Sequence, residues 1–97
     1  MENRAAVLAL SALAFETRLE TVRLLATVGD GGLPAGELAR RLGIPQNSLS
    51  GHLKALASAS LLTAERKSRS IIYRINPPAL NLLTSFLQSM CPTEHQG

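Results

Sequence analysis

The sequence predicts a mainly α-helical chain that carries one β-hairpin in its C-terminal half, in the order α-α-α-α-β-β-α. Three observations lead there. Apolar residues recur at helical spacing in four stretches before residue 60 and in one after residue 77. Between them, residues 62–75 switch to alternation and β-branched side chains. Glycine or proline marks the main junctions, at Gly29-Asp30-Gly31-Gly32, Gly43-Ile44-Pro45 and Pro77-Pro78.

Residues 4–14 read as a short helix with Val7, Leu8, Leu10 and Leu13 as its apolar positions, and 16–28 as a second with Leu19, Val22, Leu25 and Val28. The glycine cluster stops the second helix, and Pro34 reopens the chain. Gly36 to Leu42 then makes a two-turn helix with Leu38, Ala39 and Leu42 inward, and Gly43 stands where a helix needs a left-handed C-terminal residue. Pro45 sits at the start of the next helix, where a fixed φ and a missing N–H cost nothing. That helix runs to about Ser58 and buries Leu49, Leu53 and Leu56. Helix, tight glycine turn, helix is the helix-turn-helix arrangement, whose second helix offers its N-terminal residues to the major groove of DNA.

In the hairpin, Leu62, Ala64 and Arg66 alternate with Thr63, Glu65 and Lys67, while Ile71 to Ile75 is β-branched or aromatic except at Arg74. Its tip, Arg66-Lys67-Ser68-Arg69-Ser70, is basic, polar and free of glycine. This is a two-stranded wing. Asn76 or Pro77 can cap the last helix, Pro78 fits its first turn, and Pro92 stops it just after Cys91. Leu80, Leu83, Leu87 and Met90 form one stripe along it, widened by Leu82 and Phe86. Residues 1–97 thus read as a single winged helix-turn-helix domain for DNA binding and dimerisation.

Composition narrows the function. The chain is 45% apolar and 18% charged, which excludes a disordered polymer, and no apolar run approaches the ~20 residues of a membrane span. The N-terminal apolar stretch follows Glu2-Asn3-Arg4 and continues an amphipathic pattern, so no export signal is expected. A single cysteine, Cys91, forms no internal disulfide and suits a cytoplasmic location. Nor can a nucleophile, base and acid be assembled into a catalytic set: Ser48 stands one helical turn from His52, but no acid is placed to orient the ring. The chain reads as no enzyme.

Charge is uneven. From Pro34 to Arg74, seven basic residues (Arg40, Arg41, Lys54, Arg66, Lys67, Arg69, Arg74) face two acidic ones (Glu37, Glu65), while acids outnumber bases over the rest. A basic centre on mildly acidic ends suits a polyanion. No acidic residue lies between Gly43 and Ala64, and the second helix of the motif carries Gln46, Asn47, Ser48, Ser50, Gly51, His52 and Lys54 between its leucines. Short side chains let a helix lie close to phosphates and base edges, and Gln and Asn can pair bidentately with adenine. A merely solvated helix face would carry Glu, Lys and Ala instead. Gly51 costs about 0.5–1 kcal/mol relative to Ala inside a helix, so close backbone approach is its functional reading. Gly51 and His52 are the two residues that packing explains least. Arg66, Lys67 and Arg69 on the wing, with Arg74, suit phosphate or the minor groove. Tyr73 suits packing, and with only three aromatics no stacking platform for single strands exists.

At about 97 residues only roughly 60–65% of the unfolded surface can be buried, so the apolar outer helices call for a second copy. Leu8, Leu80, Leu83, Leu87 and Met90 are the candidate interface. Pairing across a two-fold axis would set two recognition helices about 34 Å apart, one turn of DNA.

The stretches ALAFETRLETVRLLATVG (12–29), LPAGELARRLGIPQNSLSGHLKALASASLL (33–62) and ERKSRSIIYRIN (65–76) resemble the signature stretches of the ArsR/SmtB family of winged-helix transcriptional repressors. The resemblance covers residues 5 to 91. It implies a homodimer that binds a palindromic double-stranded DNA operator and lets go when an inducer binds, often a metal or metalloid ion. Within the family the chain is most similar to the arsenic-responsive branch, with LPAGE and a C-terminal helix ending in Cys-Cys. Two metal sites of the family are departed from. Pro34 and Gly36 stand where the best-known metal site has cysteines, and Pro92 replaces the second C-terminal cysteine. No fixed cofactor is expected. If Cys91 senses, it would take trivalent arsenic, antimony or another thiophilic ion, or be oxidised, with the partner subunit's Cys91 or His95 as second ligand. The competing reading is a small packed side chain, as free cysteines commonly are. One cysteine and two distant histidines lack any zinc spacing. Beside the repressor stand two alternatives, a winged-helix protein-interaction or dimerisation module and a constitutive regulator without inducer.

Overall fold

Residues 1–92 are described by the computed structural model. Five helices, α1 (Asn3–Leu13), α2 (Glu16–Val28), α3 (Ala35–Leu42), α4 (Gln46–Ser58) and α5 (Pro77–Gln88), surround a small sheet. As predicted, α3 closes on Gly43 at φ 71°, and the Ile44 N–H reaches back to the Ala39 carbonyl at 3.1 Å. The same closure ends α4 without a glycine. Ser60 takes φ 65°, and the Leu61 N–H bonds the Leu56 carbonyl at 3.0 Å.

The sheet has three strands, where the sequence pointed to two. β1 (Leu33–Pro34), β2 (Leu62–Lys67) and β3 (Ser70–Ile75) stand in the order β1-β3-β2, all antiparallel, with Leu33 opposite Tyr73 and Leu62 opposite Ile75. Two residues are too few to show alternation, and the proline is tolerated because β1 is an edge. Gly32, at φ 67°, makes this edge possible: a Cβ there would collide with the Tyr73 carbonyl oxygen and the Arg74 side chain. At the wing tip, Lys67 pairs with Ser70 around a two-residue turn in which Ser68 takes φ 55°.

Leu25, Leu38, Leu49, Leu53, Leu56 and Leu61 are fully buried and knit α2, α3, α4 and the root of the sheet into one core. Thr21 is buried with them, its hydroxyl donating to the Thr17 carbonyl at 2.7 Å. Leu19, an expected core position of α2, lies exposed instead.

The outer helices hold a second surprise. α1 buries Ala6, Ala9 and Ala12 and leaves Val7, Leu8 and Leu10 between 42% and 61% exposed. α5 buries Ala79 and Leu83 and exposes Leu82 and Leu87, and Met90 just beyond it is exposed as well. Leu83 is therefore corrected: at 5% exposure it belongs to the chain's own core, and Leu80 packs half-buried against that core. α5 also ends at Gln88, three residues before Cys91. Tighter bonds, Met90 N–H to Leu87 and Cys91 N–H to Gln88, finish the turn. Asn76 caps α5 by position, while its amide donates to the Ser60 carbonyl at 2.7 Å and ties α5 to the end of α4. No helix of the described residues is long and apolar enough to cross a membrane. The chain measures 50 × 22 × 22 Å with a radius of gyration of 14.8 Å, longer than the roughly 13 Å of a compact domain this size.

Candidate nucleic-acid interface

Opposite its three buried leucines, α4 exposes Gln46, Asn47, Ser48, Ser50, Gly51 and Lys54. The split follows directly from the 3.6-residue period. No side chain caps the N-terminus of α4 and no acid stands in its first turn; the Ser48 N–H already bonds the Pro45 carbonyl at 3.1 Å, so the N–H groups of Gln46 and Asn47 remain for an anion. Ser50 donates to the Asn47 carbonyl at 3.1 Å, which steadies one hydroxyl of the face. A Cβ at Gly51 would meet nothing within 4 Å, so no packing inside the chain asks for glycine there.

Gln46 and Ser50 converge with Arg69 and Tyr73 of the wing and with Pro34 and Gly36 before and within α3, around an open cleft of about 300 Å³. Gly36 gives Gln46 room: a Cβ there would sit 3.3 Å from the Gln46 Oε1. The structure therefore brings the polar face of α4 and the wing to one side of the molecule.

The cations divide into two groups. Among the described residues Lys54, Arg66, Lys67 and Arg69 form no ion pair, and all four are exposed. Arg74, grouped with the wing from sequence, is corrected: its Nε donates to the Asp30 carbonyl at 2.9 Å and its NH1 to Glu65 at 2.7 Å, so it pins the glycine turn to the sheet. Arg40 and Arg41 both bond Glu37. The Arg40 guanidinium first, then Arg41, hold the Glu37 carboxyl down at about 2, and Glu37 in turn raises Arg40. The basic centre read from sequence thus concentrates its free charge on the wing and Lys54.

His52 is not the packing orphan the sequence suggested. It is half-buried; its Nδ1 accepts a hydrogen bond from Arg18 Nε at 2.9 Å, and its ring lies 6.0 Å from that of Phe15. Arg18 in turn sits over the Phe15 ring at 3.9 Å. Sequence reasoning assigned no role to Phe15 and Arg18. Arg18 lies 34 residues before His52, and no local spacing signals the contact.

Cys91 is exposed beyond α5, with its Sγ 3.9 Å from the Leu87 carbonyl. Among the described residues no three His, Cys, Asp or Glu side chains group as a metal site. His95 lies outside the described residues.

A family model described as a helix-turn-helix domain matches residues 13–65, more than half of the chain. The solution structure of Mb0332 from Mycobacterium bovis, a homodimeric winged helix-turn-helix DNA-binding domain of a possible ArsR-family regulator, superposes with a TM-score of 0.73 at 26% identity, over 97% of this chain and 87% of that one. The chain belongs to the ArsR/SmtB family. This is a family of DNA-binding transcriptional regulators, not of enzymes. Another ArsR/SmtB-like match is the HTH-type transcriptional regulator NmtR of Mycobacterium tuberculosis, 35% identical over 66 residues, which cover 68% of this chain and 52% of that protein. The aligned part therefore spans about half the length of NmtR. The antimony-specific transcriptional repressor AntR is similar at 34% identity and a TM-score of 0.67, over 87% of this chain and 75% of that one.

Proposed function

We propose that two copies of this chain bind a palindromic DNA operator and repress transcription there until an inducer releases them. One observation carries the reading: the exposed polar face of α4 and the unpaired cation Arg69 border the same cleft. The apolar surface of Val7, Leu8, Leu10, Leu82, Leu87 and Met90 supports the dimer, as does the homodimeric state of Mb0332. Gel-shift titration at two salt concentrations tests DNA binding. Affinity falls steeply with salt, and Arg69→Ala lowers the slope by about 0.9 on all sequences alike. Gln46→Ala or Asn47→Ala instead relaxes base preference, by about 1–3 kcal/mol per lost bidentate contact. Binding that is undetectable and indifferent to salt removes the repressor reading and favours an interaction module.

For the inducer, trivalent arsenic or antimony at Cys91 is the reading. The likeness to an antimony-specific repressor and the exposure of the thiol support it. Cys91→Ser keeps DNA affinity and loses release by arsenite and antimonite. Identical release from wild type and variant would leave a regulator that does not sense through this thiol.

A further inference from the structure

We infer that Arg18 is a positioning residue for DNA recognition: its hydrogen bond to His52 fixes the imidazole as one neutral tautomer and gives α4 a single oriented N–H donor for an acceptor atom on DNA. This rests on α4 being the helix that meets DNA. A guanidinium stays protonated and can only donate, so the Nδ1 that Arg18 Nε meets at 2.9 Å carries a lone pair. The neutral ring's one proton is then on Nε2. Among the described residues Nε2 has no hydrogen-bond partner, and guanine O6 and N7, thymine O4 and phosphate oxygens are all acceptors that it suits.

Phe15 completes the arrangement. It is 49% exposed, a costly place for an aromatic ring, yet it holds the Arg18 guanidinium at 3.9 Å and stands 6.0 Å from the imidazole at a 53° tilt. A free surface histidine samples two tautomers and several rotamers. One held from the α1–α2 junction has lost that freedom before DNA arrives, which lowers the cost of binding.

The test uses the full chain and a duplex that the wild-type protein selects from a random pool. Arg18→Ala lowers affinity about fivefold, the scale of one hydrogen bond, and costs nothing further in a His52→Phe background. The salt slope stays unchanged, because no phosphate contact is lost. Imidazole nitrogen–proton correlation spectra of the free protein, with His52 assigned by its absence from His52→Phe, show the proton on Nε2 and a bare Nδ1. That measurement alters nothing in α2, so it stands even if Arg18→Ala folds poorly. Equal losses in both backgrounds, or a slope reduced by about 0.9, mean that Arg18 touches DNA itself and overturn the positioning role. A proton on Nδ1 overturns it too. If wild type binds no duplex at all, the DNA reading falls and takes this role with it.

Discussion

Helix α4 turns Leu49, Leu53 and Leu56 inward and leaves amides, hydroxyls and a glycine outside, whereas α1 turns Ala6, Ala9 and Ala12 inward and leaves Val7, Leu8 and Leu10 in solvent. Both carry large apolar side chains at helical spacing. On α4 the opposite face is polar, so only one orientation buries the leucines. On α1 both faces are apolar, and either could meet the core. The chain chose the small residues, which bring α1 close, and kept the large ones for another surface. An apolar stripe announces burial without naming the neighbour.

Three substitutions probe that contrast, in falling order of effect. Leu53→Ala, at a fully buried position, should cost about 2–5 kcal/mol in denaturant unfolding; a loss below about 1 kcal/mol would mean that α4 is not seated as described. Leu8→Asp should halve the mass seen by sedimentation at micromolar concentration while the far-ultraviolet circular dichroism of the helices persists. An intact dimer in that variant would take α1 out of the interface. Gly51→Ala, on the outer face of α4, should stabilise the free chain by about 0.5–1 kcal/mol and weaken DNA binding. Stability and affinity rising together would show that the backbone at Gly51 does not approach DNA closely.

Where sequence and structure agree, the cause is local. Gly43 ends α3 because only its left-handed backbone lets the Ile44 N–H turn back, and Leu49, Leu53 and Leu56 line up by period alone. The exposed polar residues Gln46, Asn47, Ser48 and Ser50 were legible for the same reason. What escaped depends on distant partners. β1 exists because β3 offers it an edge and Gly32 lets the backbones approach. Arg74 and Arg69 look alike as members of a basic wing, yet only the fold brings Asp30 and Glu65 to Arg74. His52 is likewise defined by Phe15 and Arg18, which no spacing rule connects to it. Serine at positions 60 and 68 fills backbone conformations that favour glycine, so those two turns carry no compositional mark.

The bonds of Arg74 bear on how the wing would meet DNA in the proposed complex. The wing's root is tied to the Asp30 turn on one side and to Glu65 across the strand pair, which restrains the hairpin. Docking then has little backbone left to freeze. If the wing docks as proposed above, the side chains of Arg66, Lys67 and Arg69 are what must still come to order, at roughly 0.5–1.5 kcal/mol each. Cutting the moorings with Arg74→Gln would leave every wing cation in place and still slow the search for a fitting groove, because the arm that carries them would no longer arrive already aimed.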